Sequence, residues 1–140
     1  MDFKNYYLSK NNFMKYNALP SSFYCNTRQA FTNKLNASSL AIFNSNDIYP
    51  IGADSNLPFE QHRDIFYLSG IDQEESILIL FPDALEEKHR EILFIRKTDE
   101  HVAIWEGAKL TKIQAEKISG IQTIYWLEDF TKIFQKLSTQ

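Results

Sequence analysis

The sequence predicts a single α/β domain in which a mixed β-sheet of about five strands is flanked by helices. The chain has 140 residues, the length of one domain with one hydrophobic core. Hydrophobic residues make up 44% of it and aromatic residues 14%, which excludes a disordered chain. Short apolar runs typical of strands alternate with amphipathic stretches typical of helices, the order expected when helices pack on the faces of a sheet.

The first predicted element is an amphipathic helix that begins after Pro20. Residues 1–20 are polar and rich in tyrosine and form an extension before the domain, which we assign to residues 21–140. Ser21 and Ser22 provide hydroxyl groups for an N-cap, and Asn36 is placed to end the helix. The side chains that recur at helical spacing on one face are Tyr24, Arg28 through its aliphatic stem, Phe31 and Leu35.

Five segments have the short apolar or alternating pattern of β-strands. The clearest is 76–81, which Pro82 ends, and the segment 101–106 alternates toward Trp105 and breaks at Gly107. The five segments are 39–43, 76–81, 91–96, 101–106 and 122–126. They account for the predicted sheet.

Further helices are predicted between and after these strands. A short helix spans 64–69, with Asp64 as its cap and Gly70 at a position of positive φ. The charged segment 86–88 has helical character, and a helix over 111–119 ends at Gly120. Glu128 opens the last helix, whose apolar stripe consists of Phe130, Ile133, Phe134 and Leu137.

The segment 44–61 has no periodicity and is rich in turn-forming residues. A loop of this length inside a compact domain is usually functional or forms an interaction surface. We therefore expect a contact surface in this part of the chain.

Charge and composition exclude several classes of protein. Fifteen Lys and Arg against eighteen Asp and Glu give a net charge of −3, without the basic stripe that binds nucleic acid. The longest apolar run, 77–81, is too short to span a membrane. The first residues do not have the pattern of a secretory signal, and Cys25 is the single cysteine, so we expect a cytoplasmic protein without a disulfide.

A search for catalytic motifs predicts a non-catalytic domain. His62, His89 and His101 lie in separate segments without metal-binding spacing, and we expect no metal site in this chain. Cys25 has no histidine near it in sequence and is interpreted as a small buried hydrophobic residue. The chain contains no nucleophile elbow and no phosphate-binding glycine loop.

Several segments resemble, in the correct order, the N-terminal domain of Xaa-Pro aminopeptidases (aminopeptidase P) and their creatinase-like relatives. Residues 58–71 read PFEQHRDIFYLSGI and residues 75–82 read ESILILFP. Residues 104–110, IWEGAKL, are similar to the Trp-x-Gly segment of that family. Residues 119–121 and 126–130 match the order helix, glycine, strand, helix with which the family's domain closes. Residues 27–31, TRQAF, resemble its arginine-bearing first helix.

The resemblance implies a fold of the creatinase N-terminal (ribonuclease H-like) type. It also implies a two-domain metallopeptidase that releases the N-terminal residue preceding proline at a dinuclear metal centre, usually manganese. The Asp, His and Glu ligands of that metal centre belong to a C-terminal "pita-bread" domain of the family. No catalytic residue and no cofactor is therefore carried over to this chain. The implied partners are that catalytic domain of the same polypeptide, further copies in a homo-oligomer and Xaa-Pro peptides.

The resemblance also implies that this domain packs on the catalytic domain and restricts access to the active-site mouth of a neighbouring subunit. The segments 49–61 and 61–66 are the candidate contact region. Phe66 corresponds to an aromatic position of the family and would form an apolar wall, and Arg63 would meet a carboxylate. The full set of substrate-entrance or interface candidates is Gln61, His62, Arg63, Phe66 and Trp105.

Each candidate also has a structural interpretation. Phe66 and its neighbours can belong to the core, and core packing is favoured for Trp105. Glu60 and His62 differ from the residues that family members often carry there.

Two other functions stay open at this point. One is a self-standing peptide- or protein-interaction module, since creatinase-like domains without peptidase activity occur, including in a histone-chaperone subunit. The other is a metal-dependent nuclease on a ribonuclease H-like sheet. The sequence downstream of residue 140 distinguishes the peptidase from the module, because only the peptidase carries the Asp, His and Glu ligands.

Overall fold

The computed structural model describes residues 17–99, 103–104 and 107–140. They form a mixed sheet of four strands with helices on both faces, so the α/β class is confirmed and the predicted number of five strands is wrong. The helices are α1 (Ser21–Thr32), α2 (Arg63–Ser69), α3 (Lys112–Ser119) and α4 (Phe130–Ser138), and the strands are β1 (Ala41–Asn44), β2 (Ile77–Leu80), β3 (Glu91–Ile95) and β4 (Thr123–Trp126). Short 3₁₀ turns span Glu87–His89 and Leu127–Asp129.

The strands lie in the order β1-β2-β3-β4. The first two pairings are antiparallel and the last, β3 with β4, is parallel. Because β2 and β3 lie in the centre, their side chains from Leu78 to Leu80 and from Ile92 to Ile95 are almost completely buried. Apolar side chains on both faces are the reason these segments have continuous rather than alternating hydrophobicity.

The predicted strand 101–106 is described only at Ala103 and Ile104, and these two residues do not form a strand. Ala103 and Ile104 are helical, and the Ala103 amide donates to the Asp99 carbonyl at 3.1 Å, the i to i−4 bond of an α-helix. Alternation over so few residues does not distinguish a strand from one helical turn. His101 and Trp105 lie outside the described residues.

Four predicted helix boundaries also need correction. Helix α1 begins at Ser21, and its N-cap is Pro20 rather than a serine hydroxyl. The helix ends at Thr32, before Leu35 and Asn36. The cap of α2 is His62, whose Nδ1 accepts from the Asp64 amide, and not Asp64 itself. Glu128 lies in a 3₁₀ turn that precedes α4.

Helix α3 begins with a complete capping box, in which the Thr111 and Gln114 side chains each accept from the other's backbone amide.

The sheet separates two layers of core. Helices α1, α2 and α3 cover one face, on which Ile65, Leu78 and Leu93 are fully buried. Helix α4 covers the other face, on which Leu137 packs with Ile79 and Phe94. None of the described helices has the length and hydropathy needed to cross a bilayer.

Arg28 lies fully buried between the helices of the first layer. Its Nη1 donates to the Leu68 carbonyl in α2 and to the Ser119 carbonyl in α3, each at 2.9 Å. Its Nε meets Glu91 Oε2 at the start of β3 at 3.1 Å, an ionic contact without the alignment of a hydrogen bond. The sequence pattern placed only the aliphatic stem of Arg28 in the core, and the structure also places the charge there.

The two helix ends that Arg28 joins have the same sequence, Ser-Gly-Ile, at residues 69–71 and 119–121. Each serine hydroxyl donates to the carbonyl four residues earlier and accepts from the amide of the isoleucine. Gly70 and Gly120 have φ of 72° and 74°; the positive φ was predicted for Gly70, and for Gly120 the end of a helix. A single local motif therefore ends both helices.

Helix α1 packs directly on these two glycines. A Cβ atom at Gly70 would lie 2.5 Å from the ring of Tyr24, and one at Gly120 would lie 2.6 Å from Cys25 Sγ. Only glycine combines the positive φ with this close approach.

His89 is a second buried ionisable residue, on the α4 side of the sheet. Its Nε2 lies 3.4 Å from the Tyr125 hydroxyl, and its Nδ1 lies 3.7 Å from Glu86 Oε1 without forming a hydrogen bond. Burial lowers the pKa of His89, against the opposing effect of the Glu86 carboxylate. Hydrogen bonds from Lys136 and Lys88 hold the pKa of Glu86 at about 2, so its charge persists at neutral pH.

We expect Arg28→Lys to lower the free energy of unfolding by about 2 to 3 kcal/mol, because a single ammonium nitrogen replaces the two separate nitrogens, Nη1 and Nε, that reach the two carbonyls and Glu91. Urea unfolding followed by circular dichroism measures this loss. Arg90→Lys is the matched control, since the half-exposed Arg90 meets Glu87 only at 3.9 Å. Equal effects of the two variants would contradict the role assigned to Arg28.

We expect the stability to fall as the pH decreases below about 6.5, because unfolded histidine binds a proton there while folded His89 has a lowered pKa. The contribution is fully present above that pH. His89→Gln should make the free energy of unfolding less dependent on pH between pH 7 and 5.5. Urea titrations at several pH values, referenced to pH 8, give both slopes, and identical slopes would refute the assignment.

Candidate interface site

The long loop between β1 and α2 forms a small irregular hairpin. The Leu57 amide donates to the Tyr49 carbonyl and the Ile51 amide to the Ser55 carbonyl, each at 2.9 Å. A single bridge joins Pro50 and Asn56. These bonds give the loop, predicted to lack periodic structure, a defined shape at the end of the sheet where β1 stops.

Large apolar side chains of this hairpin are exposed. The exposed fractions are 38% for Ile48, 69% for Tyr49, 59% for Ile51 and 49% for Leu57. Contiguous exposed apolar side chains are uncommon on isolated soluble domains and usually mark a contact surface. We name these four residues the hairpin patch.

Gln61 connects the loop to the turn before β2. Its Nε2 donates to the carbonyls of Ile71 at 3.0 Å and Gln73 at 2.9 Å. Its Oε1 accepts from the amides of His62 at 2.8 Å and Asn46 at 3.3 Å. All hydrogen-bonding positions of the amide are thus used inside the domain. The contact role predicted for Gln61 stays a prediction, and the structure adds this internal role.

His62, Arg63 and Asp64 form the exposed start of α2. His62 caps the helix through Nδ1, which also lies 3.9 Å from Asp64 Oδ2. Asp64 in the first turn has the charge that a helix N-terminus favours. The structure therefore brings the predicted residues His62 and Arg63 together at one accessible point beside the loop.

Helix α2 divides its side chains between the core and the surface. Ile65 and Leu68 are buried in the first core layer, Phe66 is half-buried and Tyr67 is exposed. The Tyr67 ring packs edge-on against Phe23 of α1, with centroids 6.0 Å apart. Phe66 therefore retains the partial exposure that its predicted wall role requires.

Trp105 lies outside the described residues, so its predicted role is not placed by the structure. Lys109 and Leu110, which follow it in the sequence, contact the turn before β2, to which Gln61 also donates. The Leu110 amide donates to Gln73 Oε1 at 2.8 Å, and the largely buried side chains of Lys109 and Glu74 form an ion pair. Sequence reasoning missed Gln73 and Glu74, because nothing in a polar pair before a strand indicates burial.

The start of α2 and the adjacent loop line a shallow cavity of about 370 Å³. Its lining contains two amides, one imidazole and groups of both charges from Asn46, Glu60, Gln61, His62, Arg63 and Asp64. An open polar depression beside an apolar patch resembles an interface, in which a polar rim surrounds an apolar centre.

The described residues do not fit a metal centre. Within residues 17–99, 103–104 and 107–140, no three His, Cys, Asp or Glu side chains lie close enough together to hold an ion. The dinuclear manganese centre that the resemblance implies therefore has no counterpart among them, and we assign no hydrolytic step to these side chains.

Comparison with known proteins identifies similar sequences. Residues 24–140 match the family model described as "Aminopeptidase P, N-terminal domain". Human Xaa-Pro aminopeptidase 3 is 29% identical over 98 residues, which are 69% of this chain and 19% of that protein. Xaa-Pro aminopeptidase of Escherichia coli is 28% identical over 112 residues, which are 79% of this chain and 25% of that protein. The chain thus spans a fifth to a quarter of these curated relatives.

Solved structures with the same fold include aminopeptidase chains that are longer than this chain. Pseudomonas aeruginosa aminopeptidase PepP matches with a TM-score of 0.78 and 24% identity over 86% of this chain and 27% of that chain. Aminopeptidase P of Escherichia coli matches with a TM-score of 0.76 and 23% identity over the same shares. At these identities the likeness shows the fold alone.

We expect Gln61→Glu to lower the free energy of unfolding by about 2 to 3 kcal/mol, because a carboxylate repels the two carbonyls to which the amide donates. Hydrogen exchange should also accelerate in residues 44–62. Gln29→Glu is the matched control, since the exposed Gln29 amide donates to the Asn33 side chain one helical turn away, and it should change stability by less than about 0.5 kcal/mol. Equal hydrogen exchange of residues 44–62 in both variants would contradict the role of Gln61 in holding this segment.

Proposed function

Because the chain belongs to the family of aminopeptidase P N-terminal domains, we propose that it is the non-catalytic N-terminal domain of a Xaa-Pro aminopeptidase. The parent protein would be a metal-dependent hydrolase that releases the N-terminal residue before proline. This chain would pack on its catalytic domain, support a homo-oligomer and restrict the access of substrates. The observation that carries the proposal is the hairpin patch beside the exposed start of α2.

The names of the relatives support the proposed parent activity. The human and Escherichia coli proteins are both named Xaa-Pro aminopeptidases, and this chain matches only a part of each. Catalytic residues and a dinuclear manganese centre would then belong to the part of the parent beyond the matched segment. A bound metal pair would supply hydroxide for attack on the peptide carbonyl and charge to stabilise the developing oxyanion.

The hairpin patch supports the packing and access roles. Tyr49 and Ile51 would bury their exposed apolar surface against the catalytic domain or a neighbouring subunit, which gains about 25 cal/mol per Å². His62, Arg63 and Phe66 lie at the start of α2 beside that contact. There they would narrow the path to an active site, with Arg63 able to pair with a carboxylate of a peptide.

A self-standing interaction module would use the same hairpin patch. It differs from the aminopeptidase domain in what the gene encodes downstream of residue 140. A ligand set of Asp, His and Glu there supports the peptidase, and its absence supports the module.

We expect Ile51→Asp in the full-length parent to disrupt the contact of the hairpin patch, because a charge would be buried in an apolar interface. The oligomer measured by light scattering should dissociate, and kcat/KM for an Xaa-Pro peptide should fall by roughly tenfold or more. Ile113→Asp is the matched control, since Ile113 is an equally large, exposed residue on α3, away from the hairpin.

The 140-residue chain itself, with added manganese, should leave Xaa-Pro peptides uncut in the same assay. Turnover by this chain would refute the assignment of catalysis to the rest of the parent. If Ile51→Asp and Ile113→Asp both left the oligomer and the activity unchanged, the packing role of the hairpin patch would be wrong.

A further inference from the structure

A cavity of about 610 Å³ lies in the helical layer, away from the hairpin patch. It is bordered by the start of α1, the glycine that ends α2, helix α3 and the segment before α3. Its apolar wall includes Leu19, Pro20, Leu110 and Ile118. Sites for small molecules typically have volumes of roughly 300 to 1,000 Å³ and a mostly apolar lining with a few polar groups. The polar groups of this cavity therefore indicate which ligand it fits.

The hydroxyl of Tyr24 is an enclosed polar group without a partner in the fold. Tyr24 is 4% exposed and lines the cavity, and its hydroxyl oxygen would lie 3.0 Å from a Cβ atom at Gly70, which lines the cavity too. Within the part of the chain that the structure describes, no hydrogen bond to this hydroxyl is present, and only the Tyr24 carbonyl accepts a side-chain donor, Thr27. Burial raises the pKa of Tyr24, so the hydroxyl keeps its proton at neutral pH. Since buried hydroxyl groups normally have partners, this donor fits a ligand.

The first turn of α1 adds backbone donors at the same cavity. Its N-cap is Pro20, no side chain caps the helix, and no acidic residue lies in its first turn. The Pro20 carbonyl accepts from the Phe23 amide at 3.0 Å, and within the described residues the amides of Ser21 and Ser22 have no partner. Free amides at the positive end of a helix attract an anion. Pro20 and Ser21 line the cavity, so this end of the helix borders it.

The charge of the lining is positive. Its charged side chains are Lys109 and Lys117, and no Asp or Glu is among the lining residues that the structure describes. Lys109 is already paired with Glu74. Lys117, in the last turn of α3, forms no ion pair within the described residues. One lysine therefore remains available to balance the charge of a ligand.

We infer that this cavity binds a carboxylate that is carried by an apolar group, as in the C-terminal residue of a peptide or in a short aliphatic acid. The carboxylate accepts from the Tyr24 hydroxyl and from the amides at the start of α1, and Lys117 supplies the opposite charge. The apolar group packs on the wall that includes Leu110 and Ile118. A single free lysine matches one negative charge, which favours a carboxylate over a doubly charged phosphate. This site goes beyond the proposed function and does not depend on it.

NMR titration of the ¹⁵N-labelled 140-residue chain tests the site. N-acetyl-leucine should shift the amide signals of Ser21, Ser22 and Leu110, with a dissociation constant on the order of 1 mM. N-acetyl-leucinamide lacks the charge and acetate lacks the apolar group, so each should bind roughly tenfold more weakly. Absence of saturable shifts with N-acetyl-leucine, or equal affinities for the acid and the amide, would overturn the inference.

Hexanoate distinguishes the two sources of the carboxylate, because it has an aliphatic chain and no peptide bond. Tighter binding of N-acetyl-leucine than of hexanoate assigns the site to a peptide C-terminus. Tighter binding of hexanoate assigns it to a free aliphatic acid. Either result supports the chemistry that the two ligands share.

Two variants test the polar groups of the site. Lys117→Gln removes the opposite charge and Tyr24→Phe removes the hydroxyl donor, so each should weaken the binding of N-acetyl-leucine roughly tenfold. Lys132→Gln is the matched control for the charge, since Lys132 is an exposed lysine of α4, on the other face of the sheet. Equal affinities of the Lys117→Gln and Lys132→Gln variants would refute the role of Lys117.

The stability of Tyr24→Phe separates a role in binding from a role in the fold. Because the hydroxyl has no partner among the described residues, its removal should leave the Tm of the unliganded chain unchanged or slightly higher. A Tm that is lower by several degrees would mean that the hydroxyl is bonded within the fold, and its assignment to a ligand would then be wrong.

Discussion

The packing of the helical layer depends on the buried guanidinium of Arg28. The C-terminal ends of α2 and α3 converge on it, and each presents carbonyl groups that have no partner within their own helix. A cation at this position satisfies those carbonyls and interacts favourably with the negative ends of both helix dipoles. Glu91 at the start of β3 balances the buried charge. One side chain of α1 therefore joins two helices and the sheet, and its removal would leave several buried groups without partners.

This arrangement determines where the contact region lies. Arg28 holds α2 near its C-terminus through Leu68, and Gln61 holds the segment before its N-terminus through four hydrogen bonds. A helix of only seven residues is not stable by itself and depends on such attachments. Since both ends are attached, Arg63 and Phe66 keep a fixed position relative to the hairpin. The exposed residues of the candidate site thus owe their placement to buried polar groups that a partner does not contact.

Sequence patterns predicted the helices and strands better than the side-chain contacts that join them. The buried strands, the two glycines at helix ends and the apolar stripe of α4 follow from local periodicity and backbone chemistry, and the structure confirms them. The charge of Arg28, the amide of Gln61 and the pair Glu74–Lys109 act over separations of 35 residues or more, or between loops without periodicity. A single sequence carries no signal for such pairings. The repeated Ser-Gly-Ile motif was readable, because identical helix ends suggest a shared environment.

The hairpin patch and the C-terminal end of α4 lie at opposite ends of the sheet. The hairpin follows β1 at Asn44, whereas α4 returns the chain to the end of the sheet at which β1 begins. The hairpin patch and the end of α4 are thus separated by the length of the strands. Polypeptide continuing from α4 would leave from that end of the domain, and the opposite end would stay free for a neighbouring subunit. The covalent connection to the rest of a longer parent protein and the hairpin patch would therefore lie at opposite ends of the sheet.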